Sequence, residues 1–474
     1  MALSSTIHDR KAVCAMTSAA SISQEITELA RTFGGQLLRP ADAGYEEARK
    51  VHNGLVDKRP ALIARCTGTA DIVDAVTFAR KLALEVAIRG GGHNVAGRAT
   101  VDGGLMIDLA PMKGVHCDPK ARTARAQGGA TWAEFNRETQ LHGLACTGGV
   151  VSSTGIAGLT LGGGLGWLLG KHGLALDNLL SVDIVMADGK VMKASAAENS
   201  DLFWAVRGGG GNFGVAASFE FRVHPVGPTI TGGLVAYPFE QARDMLRFYR
   251  EVTASAPDAL MVVAGLIHAA DGSGTKLGGI VVCHCGTLDE GAAATQPIKE
   301  FGSPALNAIG PMPYCQLNSM LDAAYPRGAL NHWKSSFLAQ LSDDAIDQMI
   351  ECFTRCPTPM GQLLLEHFHG AVSRVAVGDT AFPHRTTGYN LVVLSEWMDP
   401  TMTDRCVAWA RESYSALTPH MASGRYVNYM DASDEAGDPI AAAYGPNYKR
   451  LRQLKAKYDP ENFFHLNQNI RPLP

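Results

Sequence analysis

At 474 residues the chain is longer than one ordinary hydrophobic core sustains, so two domains, or one domain with a large insertion, are expected. A formal net charge of −4 with 46 % hydrophobic residues fits an ordinary soluble protein and argues against a nucleic-acid-binding surface. No apolar run approaches the roughly 20 residues of a membrane span.

The first residues, MALSSTIHDRKAVCAMTSAA, lack the continuous apolar core of a secretory signal, so a frayed start and a cytoplasmic location are expected. A helix follows over SISQEITELARTF. PALIARC reads as a short buried strand. After it, Ile72, Val73, Val76, Ala79 and Leu82 recur at helical spacing, with Asp71 and Asp74 in the first turn. EVAIRGGG is a second strand that runs into a glycine loop and His93. That histidine is open to four readings: a metal ligand, a base, a covalent anchor or packing filler. Strands and turns alternate up to a helix near Thr131–His142. A further glycine-dense run follows, then a strand pair turning at ADGK.

Composition shifts after Pro228. Longer amphipathic helices and the hydrophobic strands GGIVVCHCG and YNLVVLSEW suggest a separate mixed α/β unit. The organisation expected is an N-terminal helical segment at 1–55, a ligand-binding domain at 56–227, a second domain at 228–420, and a returning C-terminal segment at 421–474. In that last segment Tyr448, Leu451, Leu454 and Tyr458 share one helix face.

The ten cysteines are scattered. Cys283 and Cys285 are too close for the usual zinc spacing, and Cys352 and Cys356 have no matching second pair, so no metal site is expected. Fifty-one glycines are the abnormal count. They concentrate at Gly90–Gly92, Gly162–Gly166 and Gly208–Gly211, each joined to a strand or helix. Backbone N–H groups converge on an anion where no side chain blocks the approach, so three such loops point to a large ligand held mainly by main chain. None matches the phosphate-loop or GxGxxG template. Tight turns in a β-rich fold are the competing reading.

RGGGHNVAG, STGIAGLTLGGGLGWLLGKHGLALDNLLSVDIVMADG, DLFWAVRGGGGNFGV and the terminal YVNYMD…YGPNYKRLRQLKAKYDPENFF together resemble the FAD-linked oxidases of the berberine-bridge-enzyme type, in the vanillyl-alcohol-oxidase superfamily. The resemblance implies an α+β protein. A PCMH-type FAD-binding domain of two subdomains would carry a substrate domain with an antiparallel sheet flanked by helices. It implies that FAD is covalently attached through His93, by its 8α-methyl. Arg89, Gly90, Gly91, Gly92, Asn94 and Gly97 would wrap the pyrophosphate. Gly155, Gly158, Gly162 and Gly163 would line the other side, with Asp177 and Asn178 beside the flavin. Gly148, Gly149, Val151, Ser152, Thr154, Trp167 and Asn469 complete the expected cofactor set.

Many relatives add a cysteine bond to the flavin, eleven residues before the first glycine of the GGG triplet. Counting back from Gly162 reaches Val151, whereas Cys146 lies sixteen back. A single bond through His93 is therefore expected, with Cys146 as the alternative second anchor. Thr154 stands where relatives govern oxygen access, and it is small. For the base, strand alternation in GRYVNYMD puts Tyr426 and Asn428 on one face, expected toward the ring, with Tyr429 on the other as runner-up. In LLLEHFHGAVSRV, Glu366 or His369 is expected to contact substrate, while His384 and Arg385 of TAFPHR read as structural support. The expected function is removal of hydride from a carbon bearing a hydroxyl or amine. The partners are a small-molecule substrate and O2, the product is hydrogen peroxide, and neither nucleic acid nor membrane is involved. A dehydrogenase with another acceptor and a non-catalytic flavin carrier are the alternatives. Substrate identity and oligomeric state are left open by the sequence.

Overall fold

The computed structural model describes residues 19–432 and 438–473. Residues 1–18, and with them the expectation of a frayed start without a signal core, lie outside the described residues. Among those described, no helix is long and apolar enough to cross a membrane. No group of three or more His, Cys, Asp or Glu side chains among them is arranged to hold a metal ion.

Short apolar runs punctuated by glycine build the first sheet. β1 (Gln36–Leu38), β2 (Leu62–Arg65), β3 (Val86–Arg89) and β4 (Leu105–Asp108) lie in the order β1-β2-β4-β3. β4 runs parallel to both β2 and β3, and β1 is antiparallel to β2. Strands covered on both faces read as continuous hydrophobic stretches, which is why VAIR and LMID show no alternation. α1 (Thr69–Lys81) connects β2 to β3 and buries Ile72, Val76 and Ala79. The Asp71 carboxylate accepts the backbone N–H groups of Thr67 and Gly34, both at 2.7 Å, and fixes the approach to that helix. This strand–helix–strand unit delivers Gly90–Gly92 from the end of β3, the edge at which such sheets present ligand loops.

The chain continues through β5 (Val115–Asp118), β6 (Thr123–Gln127), the two-residue β7 (Leu144–Ala145), β8 (Leu179–Val185), β9 (Val191–Ser195), β10 (Val215–Arg222) and the two-residue β11 (His224–Pro225). Five of these form an antiparallel sheet in the order β5-β6-β10-β8-β9, and β7 pairs with β11. The β8–β9 hairpin turns at ADGK with Gly189 at φ +83°. Between β6 and β8 run α2 (Trp132–Thr139) and α3 (Ile156–Gly162). Trp132, Phe135, Phe219 and Phe221 stack into the core beneath them.

The third sheet is larger. β12 (Thr229–Pro238), β13 (Leu260–His268), β14 (Lys276–His284), β15 (Leu306–Asn307), β16 (Gly310–Pro313), β17 (Leu330–Leu338), β18 (Gln362–Phe368) and β19 (Gly388–Trp397) pair antiparallel throughout. The order is β15-β12-β14-β13-β18-β19-β17, with β16 also on β12. α4 (Ala242–Ala254), α5 (Asp343–Thr354) and α6 (Thr403–Leu417) cover one face. Met245, Met349 and Trp409 pack there on Leu365, Leu391 and Val393. Side chains of a strand alternate in direction, so Leu364, Glu366, Val392 and Leu394 point the other way, into a cavity.

The tail returns to the first half of the chain. In α7 (Tyr448–Tyr458), Lys455 is fully buried. Its ammonium donates to the Asp459 carboxylate at 2.7 Å and to the carbonyls of Asn212 and Phe464 at 2.6 and 2.9 Å. Asn212 in turn donates to the carbonyl of Gln468 and accepts the N–H of Ile470. GRYVNYMD departs from the expected strand. Residues Val427–Tyr429 form a 3-10 turn, closed by the Tyr429 N–H on the Tyr426 carbonyl at 2.9 Å.

Candidate active site

One large cavity lies between the glycine loops and the third sheet. Its empty space, counted together with the open solvent at its mouth, is about 1650 Å³. Gly90, Gly91, Gly92, His93 and Asn94 line it from the β3 loop, and Gly155 and Gly158 from the start of α3. Gly210, Gly211 and Gly214 line it from the third glycine-rich segment. The third sheet contributes Trp333, Leu364, Glu366, Val392 and Leu394, and the returning tail contributes Asn428, Tyr429, Asn467 and Gln468.

Glycine is required here for a specific reason. A Cβ on Gly91 would stand 2.3 Å from the Gly155 nitrogen, and one on Gly155 equally close to the Gly91 nitrogen. Only two glycines let these loops touch, backbone to backbone. A Cβ on Gly158 would meet nothing within 4 Å, because that position faces open cavity. A wall of bare main chain is what a large anionic cofactor needs, so the residues present fit FAD.

His93 lines the cavity with its ring stacked on His52, the centroids 4.0 Å apart. Its Nε2 lies 3.0 Å from the Ser153 hydroxyl. Burial, then the positive charges of His52 and Arg327, pull its pKa down to about 3, so the imidazole is neutral at neutral pH. Arg89 does not reach the cavity. Its guanidinium grips the Asp108 carboxylate at 2.9 and 2.6 Å and donates to the Lys50 carbonyl, bracing the glycine loop from behind. Gly97 likewise sits behind the wall, packed on Val56.

The polar centre is a chain of three side chains. Tyr429 donates its hydroxyl to Glu366 Oε1 at 3.1 Å, and Asn390 donates its amide to Glu366 Oε2 at 2.6 Å. Pairing of β18 with β19 sets Glu366 directly opposite Asn390. Glu366 is 3 % exposed. Burial pushes its carboxyl up to about 7, against the opposing pull of the two hydrogen bonds. Burial first, then the nearby Glu366 charge, drive the Tyr429 phenol well above 10.

Tyr426, the expected base, is placed differently. Its hydroxyl accepts the N–H groups of Gly164 and Leu165 at 3.0 and 3.2 Å, and the Asn428 amide at 3.0 Å. It is buried behind the wall and does not line the cavity. Asn428 does line it, held against Gly162 and donating to the Leu159 carbonyl. Tyr429, the runner-up, lines the cavity where Tyr426 does not, because the 3-10 turn rotates side chains away from strand alternation.

Several other expected residues stand outside the wall. Asp177 holds Arg385 in a two-point ion pair at 2.7 and 2.9 Å and accepts the Leu174 N–H. Asn178 donates its amide to the carbonyls of His172 and Leu174 and accepts from His224 Nε2 at its Oδ1. Ser152 binds the Asp322 carboxylate. Gly148 lies on the Trp132 ring, Trp167 sits in an apolar core with Tyr314 and Phe368, and Gly163 backs onto Tyr426. Asn469 is one residue past Gln468 and off the wall. His369 is buried against His367, ring centroids 4.2 Å apart, on the far side of the sheet from Glu366. Gly149, Val151 and Thr154 line the cavity; Cys146 does not, and burial drives its thiol pKa upward.

The sequence reading missed His52, Tyr325, Trp333, Asn390, Asn467 and Gln468. Asn390 was open to detection as the one amide within the apolar run YNLVVLSEW. The others carry no local signal.

Residues 60–195 match the model of an FAD binding domain, and residues 425–471 match that of berberine and berberine-like proteins. An FAD-linked oxidoreductase of Dictyostelium discoideum is 31 % identical over 459 residues, covering 95 % of this chain and 98 % of that protein. The (R)-6-hydroxynicotine oxidase of Paenarthrobacter nicotinovorans is 30 % identical over 455 residues, covering 92 % and 97 %. The crystal structure of 6-hydroxy-D-nicotine oxidase from Arthrobacter nicotinovorans superimposes with a TM-score of 0.85 at 28 % identity, covering 93 % of this chain and 99 % of that one. The glycine-walled cavity, the two matched domains and a likeness that runs along almost the whole chain place this protein in the berberine-bridge-enzyme-like family of FAD-linked oxidoreductases.

Proposed function

We propose that the protein is an oxidase that removes hydride from a carbon bearing a hydroxyl or amine and passes the two electrons to O2, releasing hydrogen peroxide. The observation that carries this reading is that Tyr429 and Glu366, the latter held from behind by Asn390, line the same cavity as the glycine loops and His93. FAD supplies the two-electron acceptor when bound. Tyr429 takes the substrate's hydroxyl or amine proton and hands its own to Glu366. A phenol with so high a pKa is a poor base alone, and the carboxylate beside it at about 7 makes the transfer feasible near neutral pH. Asn390 holds Glu366 in the orientation that accepts. Substrate loses two electrons and two protons, which O2 gains as hydrogen peroxide.

His93 is the proposed covalent anchor, through the flavin 8α carbon. A neutral imidazole on the cavity wall supports that role, because a protonated ring has no lone pair to form the bond. Val151 on the wall and Cys146 off it support a single link. The small Thr154 side chain supports O2 access. The test is acid precipitation of the purified protein. A yellow pellet is expected, and a colourless one from His93→Ala. Peroxide formed in step with substrate consumed supports the oxidase; a reduced enzyme that persists in air defeats it.

A further inference from the structure

The sheet-side end of the cavity has a chemical character that narrows the substrate. Among the described residues its wall is built from Val150, Tyr325, Trp333, Leu364, Val392 and Leu394 around the polar pair Glu366–Tyr429, and the neighbouring Asn428 amide is committed to the Leu159 carbonyl and the Tyr426 hydroxyl. The aromatic residues turn their polar tips away. The Trp333 indole N–H donates to Asn331 Oδ1 at 3.0 Å, and the Tyr325 hydroxyl donates to Gln362 Oε1 at 2.9 Å. Asn331 is itself committed, donating to the Ala329 carbonyl. Trp333 meets Tyr429 edge to face, centroids 5.7 Å apart, and lies 6.2 Å from Tyr325. Among the described residues this end of the wall offers ring surface and aliphatic branches, with Glu366–Tyr429 as its main hydrogen-bonding centre.

A sugar brings a hydroxyl on nearly every carbon, and each one desolvated without a partner is penalised. A ring compound with a single hydroxyl or amine places that group at Glu366–Tyr429 and its hydrocarbon on Trp333, with nothing left unpaired. Resting on the oxidase reading above, we propose that the substrate is a compact aromatic or alicyclic alcohol or cyclic amine, not a carbohydrate. Trp333 is the residue that selects it.

Ligand binding is measured separately from turnover, by the shift of flavin absorbance in the Tyr429→Phe holoenzyme under anaerobic conditions. The probes are benzyl alcohol, cyclohexanol and 2-phenylpyrrolidine against glucose, cellobiose and xylobiose. At least one ring probe is expected to bind roughly tenfold or more tightly than every sugar. Trp333→Ala is expected to weaken that probe by roughly tenfold, the scale of losing one interface anchor, and Trp333→Phe to restore part of the loss. Equal or tighter binding of any sugar overturns the proposal, as does a panel in which nothing binds or an unchanged affinity in Trp333→Ala. Ring probes that bind as expected but never reduce the flavin of the native enzyme support the proposal and defeat the oxidase reading instead.

Discussion

Replacing Glu366 by Gln keeps the side chain's size and its hydrogen bond from Asn390 but removes the proton acceptor. Two opposite effects follow. A carboxyl held at about 7 in the folded chain, against 4.5 when free, stays protonated over a range in which the unfolded chain has already ionised. Below pH 4.5 both states are neutral and the group costs nothing. As pH rises from there to 7, stability falls, and above 7 the loss levels off at about 3 kcal/mol, taking about 1.4 kcal/mol for each tenfold difference in proton affinity. Glu366→Gln is therefore expected to match the native protein at pH 4 and exceed it by up to about 3 kcal/mol at pH 8, measured by urea unfolding. Catalysis moves the other way. The native rate of anaerobic flavin reduction should rise about tenfold per pH unit and flatten near 7. The variant should be flat and roughly 10²–10⁴ slower, the usual span for a lost general base. A variant that reduces within about threefold of the native rate from pH 6 to 8 would refute the assignment, because a carboxyl that merely packs leaves that profile untouched.

The two tyrosines should separate. Tyr426→Phe strips the acceptor from two buried N–H groups and should lower stability by about 1–3 kcal/mol in urea while leaving flavin reduction nearly native. Tyr429→Phe takes one donor from Glu366, should cost about 1 kcal/mol of stability, and should slow reduction by roughly 10²-fold or more in stopped-flow; slow reduction in Tyr426→Phe with a native rate in Tyr429→Phe would return the chemistry to Tyr426. Gly91→Ala forces a methyl onto the Gly155 backbone, so the purified protein should carry little flavin, read as the ratio of visible to 280 nm absorbance. Asp177→Asn weakens a buried ion pair with Arg385, which is only 4 % exposed. It should cost about 3–5 kcal/mol of unfolding free energy with the flavin spectrum of the folded protein unaltered.

How much of this was legible depended on whether the signal was local. Strand, helix and glycine loop of the first unit are contiguous between Leu62 and Gly92, because periodicity and a glycine run are properties of short windows. The Glu366–Asn390–Tyr429 chain is not. Glu366 and Asn390 meet through the register of two strands, and Tyr429 arrives from 63 residues further on. Local rules mislead at Tyr426, because period-two alternation does not hold in a segment that closes into a 3-10 turn, and three donors hold the Tyr426 hydroxyl behind the wall. The motif DN pointed at the flavin, yet Asp177 answers to Arg385, 208 residues away, and no inspection of either neighbourhood alone discloses that partner. His384 and Arg385, by contrast, read as structural support, and Arg385 is the group that braces Asp177.

The tail's return has a consequence for how the protein is made. Tyr429, Asn467 and Gln468 are made after every glycine loop, and Lys455 stitches this returning segment to the loop around Asn212, 243 residues earlier in the chain. Until that seam closes, the glycine loops face water on one side and the pocket lacks a wall. Cofactor capture in this arrangement belongs after the returning segment has docked, and a chain cut before residue 425 would keep every glycine loop in place yet leave them open to water where Asn428, Tyr429, Asn467 and Gln468 should stand.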